Sequence, residues 1–268
     1  MSIQEKKVQT GDVNTCYWEA GEGRPLILLH GGGAGADAWG NWNKVIELYV
    51  EKGFHVYAYD AIGFGETDKP DPEKFSYSQE AREAQLLNFI EQLELKKPCL
   101  VGNSMGGLTS LGFAIKYPEK IDKLVLMGTG KPKNNSEGFK SLLNYNIGKD
   151  HMYNIVRNLT NKNFEVSEEM IDYRLELTKK PGTMEAYVAI MEGIVAFEFK
   201  DEDLKKIEHN TLLVHGTLDE MVPKERSYHL VETLENAWMY IMPHCGHWAM
   251  MEYPEEFSRV TSDFIDNH

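Results

Sequence analysis

Short, uniformly apolar runs alternate along the chain with longer stretches in which apolar residues recur every three or four positions. The runs PLILLH (25–30), FHVYAYD (54–60), PCLVG (98–102), KLVLMG (123–128), TLLVHG (211–216) and WMYIM (238–242) read as strands covered on both faces. Between them NWNKVIELYVEK (41–52), SQEAREAQLLNFIEQLEL (78–95) and MGGLTSLGFAIKY (105–117) have helical spacing, with Leu86, Phe89, Ile90 and Leu93 on one face of the second. A last helix begins at Pro254, a favoured first-turn residue, and aligns Phe257, Val260, Phe264 and Ile265. This alternation predicts an α/β fold: a mostly parallel central sheet flanked by helices.

The rhythm stops after Gly130. From there to about Lys200 no strand is evident, and the helical segments SEGFKSLLNYN, DHMYNIVRNLT, SEEMIDYRLEL and TMEAYVAIMEGIVAF follow one another. The expected organisation is one core in two parts, 1–130 and 206–268, with a helical lid inserted over 131–205. No internal repeat or low-complexity segment interrupts it.

Composition narrows the function. A formal net charge of −14 and the lack of a basic tract disfavour nucleic acid and anionic membranes as partners. The same field repels an anionic substrate at long range, so binding one requires a local cation. The 3 cysteines, Cys16, Cys99 and Cys245, are widely spaced and odd in number, which suits reduced thiols in a cytoplasmic protein and gives no metal-ligand spacing. The amino-terminal MSIQEKKVQTGD has no apolar segment of the secretory kind, and no run approaches the roughly 18 residues of a membrane span.

The chemistry centres on Gly102-Asn103-Ser104-Met105-Gly106, a G-x-S-x-G sequence between a predicted strand and a predicted helix. Such a turn excludes side chains at the glycines and pushes the serine out at the carboxyl edge of the sheet, where ligands bind in open α/β folds. A serine hydroxyl needs a base, and the base an orienting acid, in the chain order Ser, Asp/Glu, His. Asp219 in HGTLDEMVP and His247 in PHCGHWAM meet that order on loops at the same edge. His215 and His244 are rivals by position, and His247 is preferred because a glycine precedes it and an aromatic follows. The oxyanion donors expected are the backbone N–H of Met105 and one from HGGGAGA, with Gly32 chosen and Gly31 or Gly33 as alternatives. The glycines are not followed by the lysine of a phosphate cradle.

The ordered set HGGGAGADAWGNW, DAIGFGETDKP, GNSMGG, HGTLDEMVP and CGHWAMMEYPEEF resembles the α/β-hydrolases over nearly the whole chain. More narrowly it is similar to the meta-cleavage-product hydrolases of aromatic hydrocarbon catabolism. The likeness is nearest the type acting on a 2-hydroxy-6-oxo-6-(2'-aminophenyl)hexa-2,4-dienoate. The resemblance implies hydrolysis of a C–C bond in such a dienoate to 2-hydroxypenta-2,4-dienoate and a carboxylic acid, with no metal or organic cofactor. It also implies a homodimer or larger homo-oligomer. It places the holding of the substrate carboxylate on Asn41, Asn103, Arg174 and Trp248. Arg174, in the insertion, would supply the missing cation; as an exposed helix residue it would instead pair with a neighbouring glutamate. The same triad also serves a carboxylesterase or thioesterase, and a non-catalytic receptor on this fold is a third reading. Serine at position 104 excludes the aspartate-nucleophile chemistry of dehalogenases.

Overall fold

The computed structural model describes residues 2–132 and 136–268; residues 133–135, early in the predicted insertion, lie outside the described residues, as does Met1 of the amino-terminal segment. Eight strands form one sheet: β1 (Gln4–Thr10), β2 (Val13–Ala20), β3 (Arg24–Leu29), β4 (Phe54–Tyr59), β5 (Cys99–Asn103), β6 (Leu124–Met127), β7 (Thr211–Gly216) and β8 (Ala237–Met242). Their spatial order is β1-β2-β4-β3-β5-β6-β7-β8. From β4 across to β8 every pairing is parallel, while β1–β2 and β2–β4 are antiparallel. The expected α/β class is therefore present.

Side chains alternate between two apolar clusters, as a strand with a period of two residues requires. Leu26 and Leu28 of β3 join Trp42, Tyr49 and Phe257 on one face. Ile27 and Leu29 join Leu86, Phe89 and Phe113 on the other. The helices Ile46–Glu51 and Pro254–Asn267 cover the first face, and Gln79–Gln92, Met105–Lys116 and Glu225–Thr233 the second.

β3 lies between β4 and β5, so the chain moves one way from β3 to β4 and then crosses back to β5. The order reverses at β3/β5, and a crevice opens outside the carboxyl ends of those strands. The glycine loop follows β3 and Ser104 follows β5, which brings both to that crevice.

Three elements differ from the expectation. The hairpin β1–β2 lacked the apolar runs that marked the other strands; β1 reads QEKKVQT, with mostly solvated side chains, and is held by its ladder to β2 through the two-residue turn Gly11-Asp12. The helix expected over 41–52 is two, Ala38–Trp42 and Ile46–Glu51. It breaks where the Asn43 amide bonds back to the Trp39 carbonyl at 2.8 Å and the Val45 N–H to Trp42 at 2.9 Å. The helix Glu225–Thr233 was not anticipated, although a parallel β7–β8 pair demands a crossover.

Between β6 and β7, the described residues form helices at Glu137–Leu143, Lys149–Leu159, Glu168–Thr178, Thr183–Ala196 and Asp201–Leu204. Ser136 and Ser167 cap the first and third, each hydroxyl accepting from the N–H three residues on. Cys16, Cys99 and Cys245 are buried and free of disulfides. Among the described residues no helix is long and apolar enough to cross a membrane.

Asp60, just past β4, ties the loops together. Its carboxylate oxygens accept from the N–H groups of Ala38 and Glu66, each at 2.8 Å. Burial, then the charge of Asp37, holds its carboxyl well above the usual carboxylate range. Asp60→Ala removes both acceptors; it should lower the unfolding free energy by about 2–4 kcal/mol, read in urea at unchanged m-value.

Candidate active site

Ser104 occupies the turn between β5 and the helix Met105–Lys116 with φ +52° and ψ −110°. That region is unfavourable for any residue with a Cβ, by roughly 1–3 kcal/mol, and persists where the surroundings enforce it. Here the enforcement is steric. A Cβ on Gly102 would lie 2.6 Å from the Gly106 carbonyl carbon, and one on Gly106 would lie 2.2 Å from the Leu29 carbonyl oxygen. The Ser104 N–H donates to the Met127 carbonyl at 2.8 Å, pinning the turn to the end of β6. Its half-buried side chain borders a cavity whose other walls come from the glycine loop, the inserted helices and the loop carrying His247.

His247 also lines this cavity. Its Nδ1 lies 2.7 Å from Asp219 Oδ2, and because a carboxylate only accepts, Nδ1 carries the proton and Nε2 is left as a base. The other Asp219 oxygen accepts from the N–H groups of Met221 and Val222, at 2.8 and 2.9 Å. Burial drives the Asp219 carboxyl upward, but the charge and hydrogen bond of His247, with His215 and the Val222 N–H, outweigh it and leave it below the usual range. It is an anion at neutral pH.

The rival histidines are otherwise engaged. His215 is buried between the Ser227 hydroxyl at 2.8 Å and the Val222 carbonyl at 3.1 Å, with Asp219 at 3.6 Å. His244 is exposed. Neither lines the cavity, and neither do His55, His151, His209, His229 or His268.

At another part of the same cavity stands Arg174, only 2% exposed. It is not the solvated partner of a glutamate. Its Nη2 donates to the Ala34 carbonyl at 2.7 Å, and its guanidinium carbon lies 5.0 Å from the centre of a Trp248 ring. Burial lowers it to about 10, against the pull of Asp37, so it remains charged at pH 7. Trp248 Nε1 donates to Asn41 Oδ1 at 3.0 Å. An indole N–H can only donate, so this bond fixes the Asn41 amide with Nδ2 as its free end. Asn41 Nδ2 and Arg174 Nε have no hydrogen-bond partner among the described residues. Asn103 is oriented the opposite way: its Nδ2 donates to the carbonyls of Met127 and His247, at 3.3 and 3.4 Å, leaving Oδ1 unpartnered.

Gly31, Gly32 and Gly33 run along the cavity floor. A Cβ on Gly32 would come 3.0 Å from Met105 Sδ, and one on Gly33 3.2 Å from Arg174 Nη2. The loop thus passes beside the start of the helix after Ser104 and beneath the guanidinium. The structure brings Ser104 and the Asp219-bonded His247 to one cavity, with the start of the helix Met105–Lys116 and a buried cation that has an unpartnered N–H.

Residues 24–159 match the family model described as the alpha/beta hydrolase fold. Over 266 residues the chain is 41% identical to the 2-hydroxy-6-oxo-6-(2'-aminophenyl)hexa-2,4-dienoic acid hydrolase of Metapseudomonas resinovorans, covering 97% of this chain and 90% of that protein. This chain belongs to the α/β-hydrolase family. It is 33% identical to the 2-hydroxy-6-oxo-2,4-heptadienoate hydrolase of Pseudomonas putida, covering 97% and 95% of the two chains. Among solved structures it is similar to a serine hydrolase involved in carbazole degradation, with TM-score 0.90, 38% identity and full coverage of both chains. It is likewise similar to the meta-cleavage product hydrolase of Pseudomonas fluorescens IP01, with TM-score 0.91, 31% identity and 97% coverage of each. The resemblance to meta-cleavage-product hydrolases seen in the motifs is thus shown.

Several residues that hold this hydrolase's site in shape escaped the sequence reading. Glu252 accepts from the Gly246 N–H at 2.9 Å and from the backbone and side-chain amides of Asn161, at 2.9 and 2.6 Å. It joins the His247 loop to the end of the helix Lys149–Leu159, where the His247 N–H also donates to the Leu159 carbonyl at 2.8 Å. Tyr173 donates its hydroxyl to Asp37, fastening the helix of Arg174 to the glycine loop. No motif flags either pair, because the partners are 91 and 136 residues apart.

His30 opens the glycine loop. Its Nε2 accepts from the Ala61 N–H at 2.9 Å, which places the proton on Nδ1 toward the Gly31 carbonyl at 2.8 Å. Burial, aided by the charge of Arg174, lowers it from 6.5 to about 4 despite that bond. The unfolded chain takes up a proton here below about pH 6.5 that the native state refuses until about pH 4, so His30 destabilises the fold as pH falls through that window. The stability gap between the native protein and His30→Asn should narrow by about 3 kcal/mol from pH 7 to pH 4 in paired urea titrations.

Proposed function

We propose that this protein hydrolyses the C–C bond next to the 6-keto group of a 2-hydroxy-6-oxohexa-2,4-dienoate, releasing 2-hydroxypenta-2,4-dienoate and a carboxylic acid. The observation that carries this reading is the buried, charged Arg174 sharing one cavity with Ser104 and His247. A simple ester gives such a guanidinium nothing to bind. A dienoate carboxylate does, and the unpartnered N–H groups of Arg174 Nε and Asn41 Nδ2 match its oxygens. Trp248 serves by holding Asn41 and stacking on Arg174. Asn103 offers an acceptor, which suits the 2-hydroxyl of the dienol better than the carboxylate. The relatives named above, hydrolases of 2-hydroxy-6-oxo dienoates by name, support the same substrate class.

The chemistry follows from the assigned roles. The 2-hydroxyl proton moves to C5 and the dienol becomes a keto form, so that C5 can later depart with the bonding electrons as a dienolate stabilised through the conjugated ketone. Ser104 Oγ attacks the C6 ketone as His247 Nε2 takes its proton, and Asp219 steadies the imidazolium. The oxyanion faces the N–H groups of Met105 and Gly32, where the helix N-terminus favours negative charge. Breaking C5–C6 leaves an acyl-serine and a dienolate, whose oxygen takes the proton back from the His247 imidazolium to give 2-hydroxypenta-2,4-dienoate; the neutral His247 then activates a water that splits the acyl-serine to the acid.

Two substitutions test this. Ser104→Ala should lower turnover of a dienoate by about three or more powers of ten with binding largely intact, followed by loss of the dienolate colour. Arg174→Ala should weaken dienoate binding by about 2–5 kcal/mol and leave p-nitrophenyl acetate hydrolysis nearly unchanged. Equal losses on both substrates would favour an esterase with a structural arginine.

A further inference from the structure

A second cavity lies against the first. Leu111, Phe197, Phe199, Leu204 and Leu230 give it an apolar wall. Leu108, Gly130 and Ile194 line both cavities, so one layer of residues divides them. At Gly130 that layer has no side chain. A Cβ built there would lie 2.8 Å from Cβ of Arg226, in the second wall, and 3.7 Å from Cγ1 of Val222, in the first. A side chain at 130 would collide with Arg226, so the layer is thin but closely packed there, and its φ of +142° itself favours glycine. The outer rim is charged: Glu198 bridges Lys131 at 3.1 Å and Arg226 at 3.3 Å.

Asn41, Arg174 and Trp248 line only the first cavity. With the dienoate carboxylate held by them, the acyl group beyond Ser104 points toward the shared residues. We propose that the second cavity is an extended acyl subsite, reached across the shared layer of Leu108, Gly130 and Ile194, for the outer part of an alkyl chain or second aromatic ring too long for the first cavity. This rests on the dienoate reading of the Ser104 cavity. The apolar wall sets the ligand class, since an anionic terminus has to displace Glu198 from its two cations, whereas an uncharged hydrocarbon end leaves the rim intact.

The test is a series of dienoates whose C6 acyl group is acetyl, benzoyl, octanoyl or biphenyl-4-carbonyl. Wild-type kcat/KM for the two long groups should stay within about tenfold of benzoyl. Leu230→Trp, which fills only the second cavity, should lower the two long substrates by about tenfold or more and leave acetyl within about twofold. Phe199→Ala, which enlarges it, should raise biphenyl relative to acetyl, and it keeps the question open to measurement if the tryptophan variant does not fold. Rejection of both long groups by the wild type, or equal effects of the substitutions across the series, overturns the subsite. If no dienoate is turned over at all, the dienoate reading has failed. The p-nitrophenyl esters of the same four acids then report on the subsite by the same criteria, because the acyl group meets Ser104 in the same way.

Discussion

Two missing Cβ atoms allow everything else. The turn at Ser104 closes only because Gly102 and Gly106 let the β5 strand end, the following helix and the β3 backbone approach to distances no side chain tolerates. That close packing forces the serine into a left-handed conformation and turns its hydroxyl toward the crevice where the strand order reverses. The energy to hold a strained residue comes from the sheet itself: the Ser104 N–H is bonded into β6, and the helix behind it is buried along ten consecutive residues from Met105 to Ala114. Rigidity at Ser104 is thus a property of the core, not of the loops around it.

Around that fixed point the site divides by polarity. One region carries the buried guanidinium, two amides and an indole, each oriented by a bond that admits only one direction of donation. Near Leu108, Gly130 and Ile194 the lining is hydrocarbon. A chain with net charge −14 repels anions at a distance, yet it keeps the Arg174 cation in the cavity wall, where water screens it little. Any attraction the site exerts on an anion is therefore local, acting at contact range.

Much of this was legible in the residues. The parallel strands were evident because double burial demands unbroken apolar runs, and the Ser104, Asp219 and His247 positions because each follows such a run in the required order. The hairpin β1–β2 was not, since an edge strand with lysines and glutamates looks like solvated chain until its partner is known. The burial of Arg174 was equally hidden: its helix carries polar residues on most sides, and the glycine loop at 33–35 together with Trp248, 74 positions on, takes it out of water. Asn103 shows the subtler limit. Its place beside the serine was plain, but which end of its amide faces the cavity depends on two carbonyls from β6 and the His247 loop. Glu252 and Asp37 act across long sequence separations and leave no periodic trace.

Gly35 gives the helix Glu168–Thr178 its seat. A Cβ there would lie 2.2 Å from the Arg174 carbonyl oxygen, so the backbone of the helix Glu168–Thr178 rests directly on the backbone of the glycine loop, with Tyr173 bonded to Asp37 alongside. Two main chains in van der Waals contact cannot slide past each other without separating. The helix that carries Arg174 is thereby seated main chain to main chain on the glycine loop, whereas the helices Glu137–Leu143 and Thr183–Ala196 meet the cavity through side chains such as Phe139, Leu142, Met191 and Ile194, which substitution can reshape.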